Sequence, residues 1–452
     1  MNSRSPNGAA DAPRDTPAWT RAQAMGLRRT DETVAPIFYP PAERIDPDLH
    51  IWDTWLLRDR NGEIAEIDGW RVFFSLTASA ELLPGKRHDA ATIRYFYSRD
   101  GRTWYTGDPV FEEANVFGSR RWAGSALYDD GRVYVYYTAA GDSAEEHLTY
   151  GQRIAVGAGG TIETSAEGLD LRGPWEHSVL LEPDGDRYER EAQSRGPIYT
   201  FRDPWFFEDD GETYLLFEGN TPIPKGSDAC GGEETHQEFN GSVGIARSPT
   251  GDPIDWELEA PLLDAVCVNQ ELERPHIVPH DGRYYLFVSS HAHTFAPGLS
   301  GFDGLYGFVA DSLRGQYRPL NDTGLVVTNP ENAPFQAYSW LAFSHGEELL
   351  VSSFFNYYDY DRPSMDDVAL LSEAEQRRRF GGTLAPTLRL TVEGDRTRVQ
   401  GKLDYGHLPV ESEELPALSA FEGRGWTGTR ERSDAGGYGR YVDRDDPDPG
   451  AG

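Results

Sequence analysis

Three observations predict an all-β fold, a five-bladed β-propeller with a central funnel-shaped active site. The first is a hairpin that recurs five times: an apolar strand, a turn of Asp-Gly or His-Gly type, and a second strand rich in aromatics and valine. The second strands read DGWRVFFSLTA from Asp68, DGRVYVYYTAA from Asp130, DGETYLLFEGN from Asp210, DGRYYLFVSSH from Asp281 and HGEELLVSSFF from His345. The second observation is spacing. The turn glycines Gly69, Gly131, Gly211, Gly282 and Gly346 lie 62, 80, 71 and 64 residues apart, and each interval fits one four-stranded sheet with decorated loops. The third is the placement of Asp53, Asp203 and Glu273 at the starts of apolar strands, where a charge is costly unless paired or used. A long sandwich or jelly roll is the alternative; five similar hairpins at this spacing favour radial blades.

Taken in order, residues 1–18 are rich in Pro, Ala, Asp and Gly and are expected to be disordered. The fold starts at Trp19-Thr20-Arg21, with a short helical stretch from Arg21 to Met25 and an extended Pro-containing segment to Leu49. The propeller is expected over 19–411. One helix is predicted from Met365 to Arg379, capped by Ser364 and closed by a basic last turn. Residues 412–452, dominated by Gly, Asp and Arg, read as an irregular tail.

Composition narrows the function. The 452 residues carry a net charge of −33, which argues against DNA, RNA or an anionic membrane as partner. Only three of the 42 basic residues are lysines (Lys86, Lys225, Lys402). Such acidity with so little lysine points to a halophilic protein kept soluble in high salt, where screening removes self-repulsion. No apolar run is long enough to span a bilayer, and the N-terminus shows no apolar core of a secretory signal. The two cysteines, Cys230 and Cys267, form either one bridge or two buried thiols; spacing alone does not decide.

The chemistry is expected just upstream of the turn glycines, in IWDTWLL, RRWAGSALY, FRDPWFFED, ELERPHIV and QAYSWLAF. Asp203, Glu273 and Tyr338 precede their glycines by eight, nine and eight residues, which predicts equivalent radial positions. Inner strands line a propeller's channel, so Asp53, Asp203 and Glu273 should converge, with Trp52, Trp122, Arg202 and Tyr338 around them. Carboxylates among aromatics suit glycosidic cleavage: one attacks or stabilises an oxocarbenium-like centre and another protonates the leaving oxygen. Crowding pushes their pKa values apart, tryptophan faces stack on sugar rings, and arginine holds carboxylates or hydroxyls. For a single acid at a strand start, a purely structural role is about as good a reading; for three, each beside Trp or Arg, the functional one is better.

Through IWDTW, WAGSA, FRDPW, ELERP, LFVSSH, FAPGL, GLYGFV and QAYSW, the chain resembles the levansucrase and inulosucrase (fructansucrase) family of glycoside hydrolases, from Trp19 to about Leu408. The resemblance implies a five-bladed propeller and a retaining fructosyltransferase that cleaves sucrose, releases glucose and passes the fructosyl unit to sucrose, a growing fructan (levan or inulin) or water. It implies Asp53 as nucleophile, Glu273 as general acid/base and Asp203 as transition-state stabiliser. Trp52, Trp122, Arg202, Glu271, His291, Gln336 and Tyr338 match sugar-binding positions. His291 stands where some relatives carry arginine, Leu56 replaces the proline usual after WDTW, and Ala123 replaces a serine whose hydroxyl supports the nucleophile in many relatives. One branch carries a disulfide where another binds calcium, which implies a Cys230–Cys267 bridge. The expected partners are sucrose, glucose, fructose and fructo-oligosaccharides, handled outside the cell by a monomer, with no cofactor and no metal. The acidic run from Asp359 to Asp367 reads as solvated surface. The competing functions are a β-fructofuranosidase and a non-catalytic carbohydrate-binding propeller. The short tail argues against the β-sandwich usual in the former, and paired acids at Asp53 and Glu273 argue against the latter.

Overall fold

The computed structural model describes residues 16–112, 115–196, 198–362, 364–410 and 413–415, together with the backbone of two short paired strands, Thr429–Arg430 and Tyr441–Val442. Its strands form five radial blades around a channel. The innermost strands are Leu49–Arg58, Arg120–Asp129, Arg202–Asp209, Glu273–His280 and Ala337–His345, in blades 1 to 5. Each pairs antiparallel with the next strand of its own blade. Blades 1 and 2 are also joined edge to edge by a short parallel register, Leu57 with Ala126 and Arg58 with Leu127.

The expected turns explain the hairpins. In blades 1 to 4 the turn pairs Asp68-Gly69, Asp130-Gly131, Asp210-Gly211 and Asp281-Gly282 all have positive φ, as a type I′ hairpin turn requires. Blade 5 differs. His345 pairs with Glu348, so its two-residue turn is Gly346-Glu347, with the glycine in the first place (φ 59°). Between the blades lie wedge-shaped apolar clusters. Phe206, Leu215 and Tyr136 pack between blades 2 and 3; Ile277, Leu286 and Val243 between 3 and 4; Trp340, Leu349 and Val309 between 4 and 5. At the end of the channel away from the acids, Arg58 stacks 3.7 Å over Trp205, and Arg60 joins Asp129 (2.8 Å) to Glu208 (3.2 Å).

The N-terminal segment fastens the blades from outside. Pro17 and Ala18, expected to be disordered, are paired: the Pro17 carbonyl accepts from Asp264 N, and Ala18 bridges to Asp264. Trp19 explains this, because it is 1% exposed among Phe295, Tyr306 and Phe308. Residues 1–15 lie outside the described residues. The helix Arg21–Ala24 has a Thr20/Gln23 capping box. The helix predicted from Met365 to Arg379 is two: a 3₁₀ turn, Met365–Leu370, capped by Ser364, and an α-helix, Glu373–Arg379, capped by Ser372. Leu371 turns extended because Ser372 starts a second cap there. Most of the tail after 411 lies outside the described residues, but Glu413 binds Arg102 and His407 and so ties blade 5's exit to blade 1.

Gly124 sits where the innermost strand of blade 2 presses on its neighbour: a Cβ there would lie 2.0 Å from the Tyr136 carbonyl oxygen. Gly211 needs its positive φ but has open space around it. Gly211→Ala should therefore cost about 1–2 kcal/mol from backbone conformation alone. Gly124→Ala must displace a strand and should cost more, by at least about 1 kcal/mol. Urea unfolding midpoints of the two variants check this; equal losses would mean that the strand moves freely.

Candidate active site

Every innermost strand carries a one-residue bulge at the same height. The register slips between Trp52 and Trp55, Trp122 and Gly124, Arg202 and Trp205, Glu273 and His276, and Tyr338 and Leu341. At four of these the bulged residue is left-handed: Asp53 (φ 50°), Asp203 (60°), Arg274 (51°) and Ser339 (57°). Each such non-glycine residue costs about 1–3 kcal/mol and persists only where the surroundings fix it. The bulge re-aims the side chain. It creates two stacked rings around the channel: Trp52, Trp122, Arg202, Glu273 and Tyr338 in one, and Asp53, Ala123, Asp203, Arg274 and Ser339 in the other. This corrects the equivalence drawn from spacing. Asp203 is level with Arg274 and Ser339, whereas Glu273 is level with Arg202 and Tyr338. The offset of Tyr338 misled because Gly346 takes the first turn position rather than the second.

Two arginines organise the acids. Arg202 donates from Nε to Glu218 Oε2 (2.7 Å) and from Nη2 to Glu271 Oε1 (2.9 Å) and Glu273 Oε1 (3.0 Å). Burial works against its charge, but Glu218, Glu273, Glu271 and Asp203 together hold its pKa well above the ordinary value. The other oxygen of Glu273 accepts from the Tyr338 hydroxyl. Burial and the Glu273 charge push Tyr338 far above the usual phenol pKa, so it keeps that proton. Arg274 donates from Nη1 to Ser339 O (3.0 Å) and Oγ (2.7 Å), and from Nη2 to the Thr54 carbonyl, while its backbone N–H donates to Asp203 Oδ2 (3.0 Å). The Asp203 N–H in turn donates to Thr138 Oγ1 (2.9 Å).

Burial raises the pKa of Asp53; Arg274 and the nearby Ser339 hydroxyl pull it back, and Glu273 pushes it up. Asp203 is raised by burial first, with Arg202 opposing and Glu273 and Asp53 adding. His291 lies flat on Tyr338, ring centroids 3.7 Å apart, and its Nδ1 is 2.9 Å from Asp303 Oδ2. Burial disfavours its charge, but Asp303, Glu273 and Glu271 outweigh burial and raise its pKa to about 9.

The structure thus gathers Asp53, Asp203, Glu271, Glu273, Arg202, His291 and Tyr338. Trp52 is buried against His88 and Arg87, and Trp122 reaches the His88 carbonyl with its Nε1 (3.4 Å). Trp52 Nε1 and Glu271 Oε2 are buried and have no hydrogen-bond partner among the described residues. Gln336 is a correction. It is wholly buried, its Nε2 donates to Pro36 O (2.7 Å) and its Oε1 accepts from Phe38 N (2.8 Å), so it anchors the N-terminal segment instead of binding sugar. Sequence reasoning missed Arg87 and His88, which come from the 3₁₀ turn Pro84–Ala90 and belong to no repeated hairpin. It also missed Asp303 and Glu218. The latter left a signal, a lone charge in the apolar run LLFEGN. Cys230 and Cys267 are disulfide-bonded across 37 residues, tying the loop after blade 3's second strand to the approach to Glu271 and Glu273. Among the described residues no cluster of His, Cys, Asp and Glu could hold a metal ion.

The sequence profile of the family described as Levansucrase/Invertase matches residues 9–409. The chain belongs to that family. It is 38% identical over 426 residues to a levansucrase of Rahnella aquatilis, covering 86% of this chain and 96% of that protein. Among solved structures, the inulosucrase from Halalkalicoccus jeotgali bound to kestose is 67% identical, with a TM-score of 0.88 over 89% of this chain and 99% of that one. The catalytic domain of a β-fructofuranosidase from Microbacterium saccharophilum K-1 is 29% identical, with a TM-score of 0.75 over 88% of this chain and 94% of that one.

The His291 ring offers a test. Its folded pKa, about 9, lies above the unfolded value near 6.5. Its contribution to stability should be complete below about pH 6.5 and lost as pH rises through about 9. The difference in melting temperature between wild type and His291→Gln should be largest near pH 6 and shrink above about pH 9. A pH-independent difference would mean that the ring is neutral throughout.

Proposed function

We propose that this chain is a retaining sucrose fructosyltransferase in which Asp53 is the nucleophile, Glu273 the general acid and base, and Asp203 the transition-state stabiliser. The observation that supports this is the convergence of three carboxylates from three blades, two of them governed by Arg274 and the third by Arg202. In the first step an Asp53 oxygen attacks C2 of the fructosyl unit, the C2–O bond to glucose breaks, and Glu273 gives its proton to the departing oxygen. In the second step Glu273 takes the proton of an acceptor hydroxyl, that oxygen bonds C2, and the ester to Asp53 is released. Arg202 and Tyr338 hold one Glu273 oxygen each and fix its rotamer. Asp203, oriented by the Arg274 N–H, faces the fructosyl hydroxyls and the developing positive charge. Trp122, partly exposed, supplies sugar-facing ring surface, with Trp52 wholly buried against His88 and Arg87, and Glu271, Arg202 and His291 supply polar contacts.

Acceptor choice decides the product. Transfer to sucrose or fructan elongates; transfer to water makes the same intermediate a hydrolytic one. The 67% identity to an inulosucrase supports β-2,1 transfer over β-2,6. The net charge of −33 with three lysines supports a halophilic enzyme, and relatives that include an extracellular sucrase of Zymomonas mobilis support work outside the cell.

Asp53→Asn and Glu273→Gln should each lower glucose release from sucrose by at least about 10³-fold with sucrose binding retained. A variant that still turns over would remove that residue from the chemistry. Glucose in excess of fructose, with β-2,1 linkages by carbon-13 NMR, is the expected product pattern; equal amounts without polymer would mark a hydrolase. Glucose release and melting temperature should both rise from low to multimolar salt, and a flat response would contradict a halophilic design.

A further inference from the structure

The nucleophile needs a donor that fixes which of its oxygens attacks, and the bulge ring limits where that donor can stand. Blade 1 is flanked by blades 2 and 5, so the ring neighbours of Asp53 are Ala123 and Ser339. Ala123 has no polar side-chain atom. The other hydroxyls nearby are committed. Ser75 donates to the Trp52 carbonyl (2.7 Å), so in its contact with Thr54 (2.9 Å) the Thr54 hydroxyl must donate to it. Thr138 spends its proton on the Ala123 carbonyl (3.0 Å).

Ser339 is different. Its Oγ accepts from Arg274 Nη1 at 2.7 Å, and its carbonyl accepts from the same nitrogen at 3.0 Å. A hydroxyl carries one proton and two lone pairs. With a guanidinium on a lone pair, its proton turns away from Arg274; the same guanidinium reaches the carbonyl of Thr54, next to Asp53, so the carboxylate of Asp53 is the ring neighbour left to take that proton. A cation behind the hydroxyl strengthens the bond it donates. Ser339 pays for this place with a left-handed backbone, φ 57°, at 3% exposure.

We propose that Ser339 is the positioning residue of the nucleophile, relaying Arg274 to Asp53 through its hydroxyl and taking the place that Ala123 leaves empty. The inference rests on the reading of Asp53 as nucleophile. It makes one hydroxyl, on the blade 5 side of Asp53 rather than the blade 2 side, responsible for the orientation of the attacking oxygen. The groups facing Asp53 are Arg274 from blade 4, Ser339 from blade 5, Glu273 from blade 4 and Arg87 from the 3₁₀ turn, with Asp203 of blade 3 beyond Arg274.

The test compares Ser339→Ala with Ser339→Gly. Glycine relieves the left-handed backbone, so a merely structural serine would be replaced by glycine without loss. A positioning hydroxyl is lost in both. The expected result is a fall in kcat for glucose release of about 10- to 100-fold in both variants, the scale of one hydrogen bond to a charged group, with KM for sucrose within about twofold. The acid limb of the kcat/KM profile should move to higher pH, because the carboxylate loses a donor to its charged form. Adding Ala123→Ser to Ser339→Gly, which returns a hydroxyl from the other ring neighbour, should recover a substantial part of the lost kcat. Folded Ser339→Gly with kcat within about twofold of wild type would overturn the inference. So would a loss that Ala123→Ser leaves in place and that raises KM in step, since backbone geometry would then be responsible. Asp53→Asn, assayed beside them, separates the two readings: turnover by that variant would remove the nucleophile assignment itself, whatever the serine variants do.

Discussion

The structure depends on one buried arginine. Arg274 belongs to blade 4, yet its guanidinium reaches the Thr54 carbonyl of blade 1 and the Ser339 carbonyl and hydroxyl of blade 5, while its backbone N–H reaches Asp203 of blade 3. Among the described residues no strand is exchanged between the first and last blades, so no shared sheet closes the ring there. It is closed at its centre by this clasp, and at its edge by the segment that leaves blade 5: Leu408 N bonds Gly101 O and Arg71 bonds the Pro409 carbonyl. Removing one partner of a buried charged cluster typically costs about 3–5 kcal/mol, because the remaining charge is stranded. Here the stranded charges would be the carboxylates proposed to carry the chemistry.

That is why the site and the fold are one problem. Two arginines face Asp53, Asp203, Glu218, Glu271 and Glu273 within a narrow funnel. At about 4 Å and an effective dielectric near 20, each close pair is worth about 4 kcal/mol, enough to decide ionisation but not to remove the cost of burial. Arg202 wins against burial because four carboxylates surround it. Arg274 has its pKa lowered by burial even with Asp53, Asp203 and Glu273 opposing, so its backbone-carbonyl partners matter as much as its ionic ones. Four left-handed residues in the bulges are the conformational cost of pointing these groups at one spot.

Much of this was legible in the chain, for physical reasons. Asp-Gly turns take positive φ at both positions, so they announce hairpins, and four of them followed by a His-Gly turn at similar spacing announce blades. Charges at the mouths of apolar strands announce a site, and Asp53, Asp203, Glu273, Arg202 and Tyr338 meet there. Register was less legible, since one glycine shifted within a turn, Gly346, moves an alignment by one residue and exchanges the two rings. Gln336 shows the limit of transferring roles along a motif: its amide is held by Pro36 and Phe38, segments whose path over blade 5 no local pattern reveals. Arg87 and His88 arrive from a 3₁₀ turn outside the repeat. The second serine cap that splits the predicted helix is local, Ser372 with Glu375 three residues on, and was open to sequence reasoning; the pairing of Pro17 and Ala18 does not follow from composition, because it is set by packing.

The proposed attack by Asp53 can be tested directly. Enzyme turning over sucrose would be quenched rapidly in acid, digested, and its peptides mapped by mass spectrometry. The expected result is one hexosyl unit on the peptide carrying Asp53, absent when glucose replaces sucrose. A hexosyl unit on the peptide of Asp203 or Glu273, or turnover with inverted configuration at C2 and no adduct on any peptide, would contradict it.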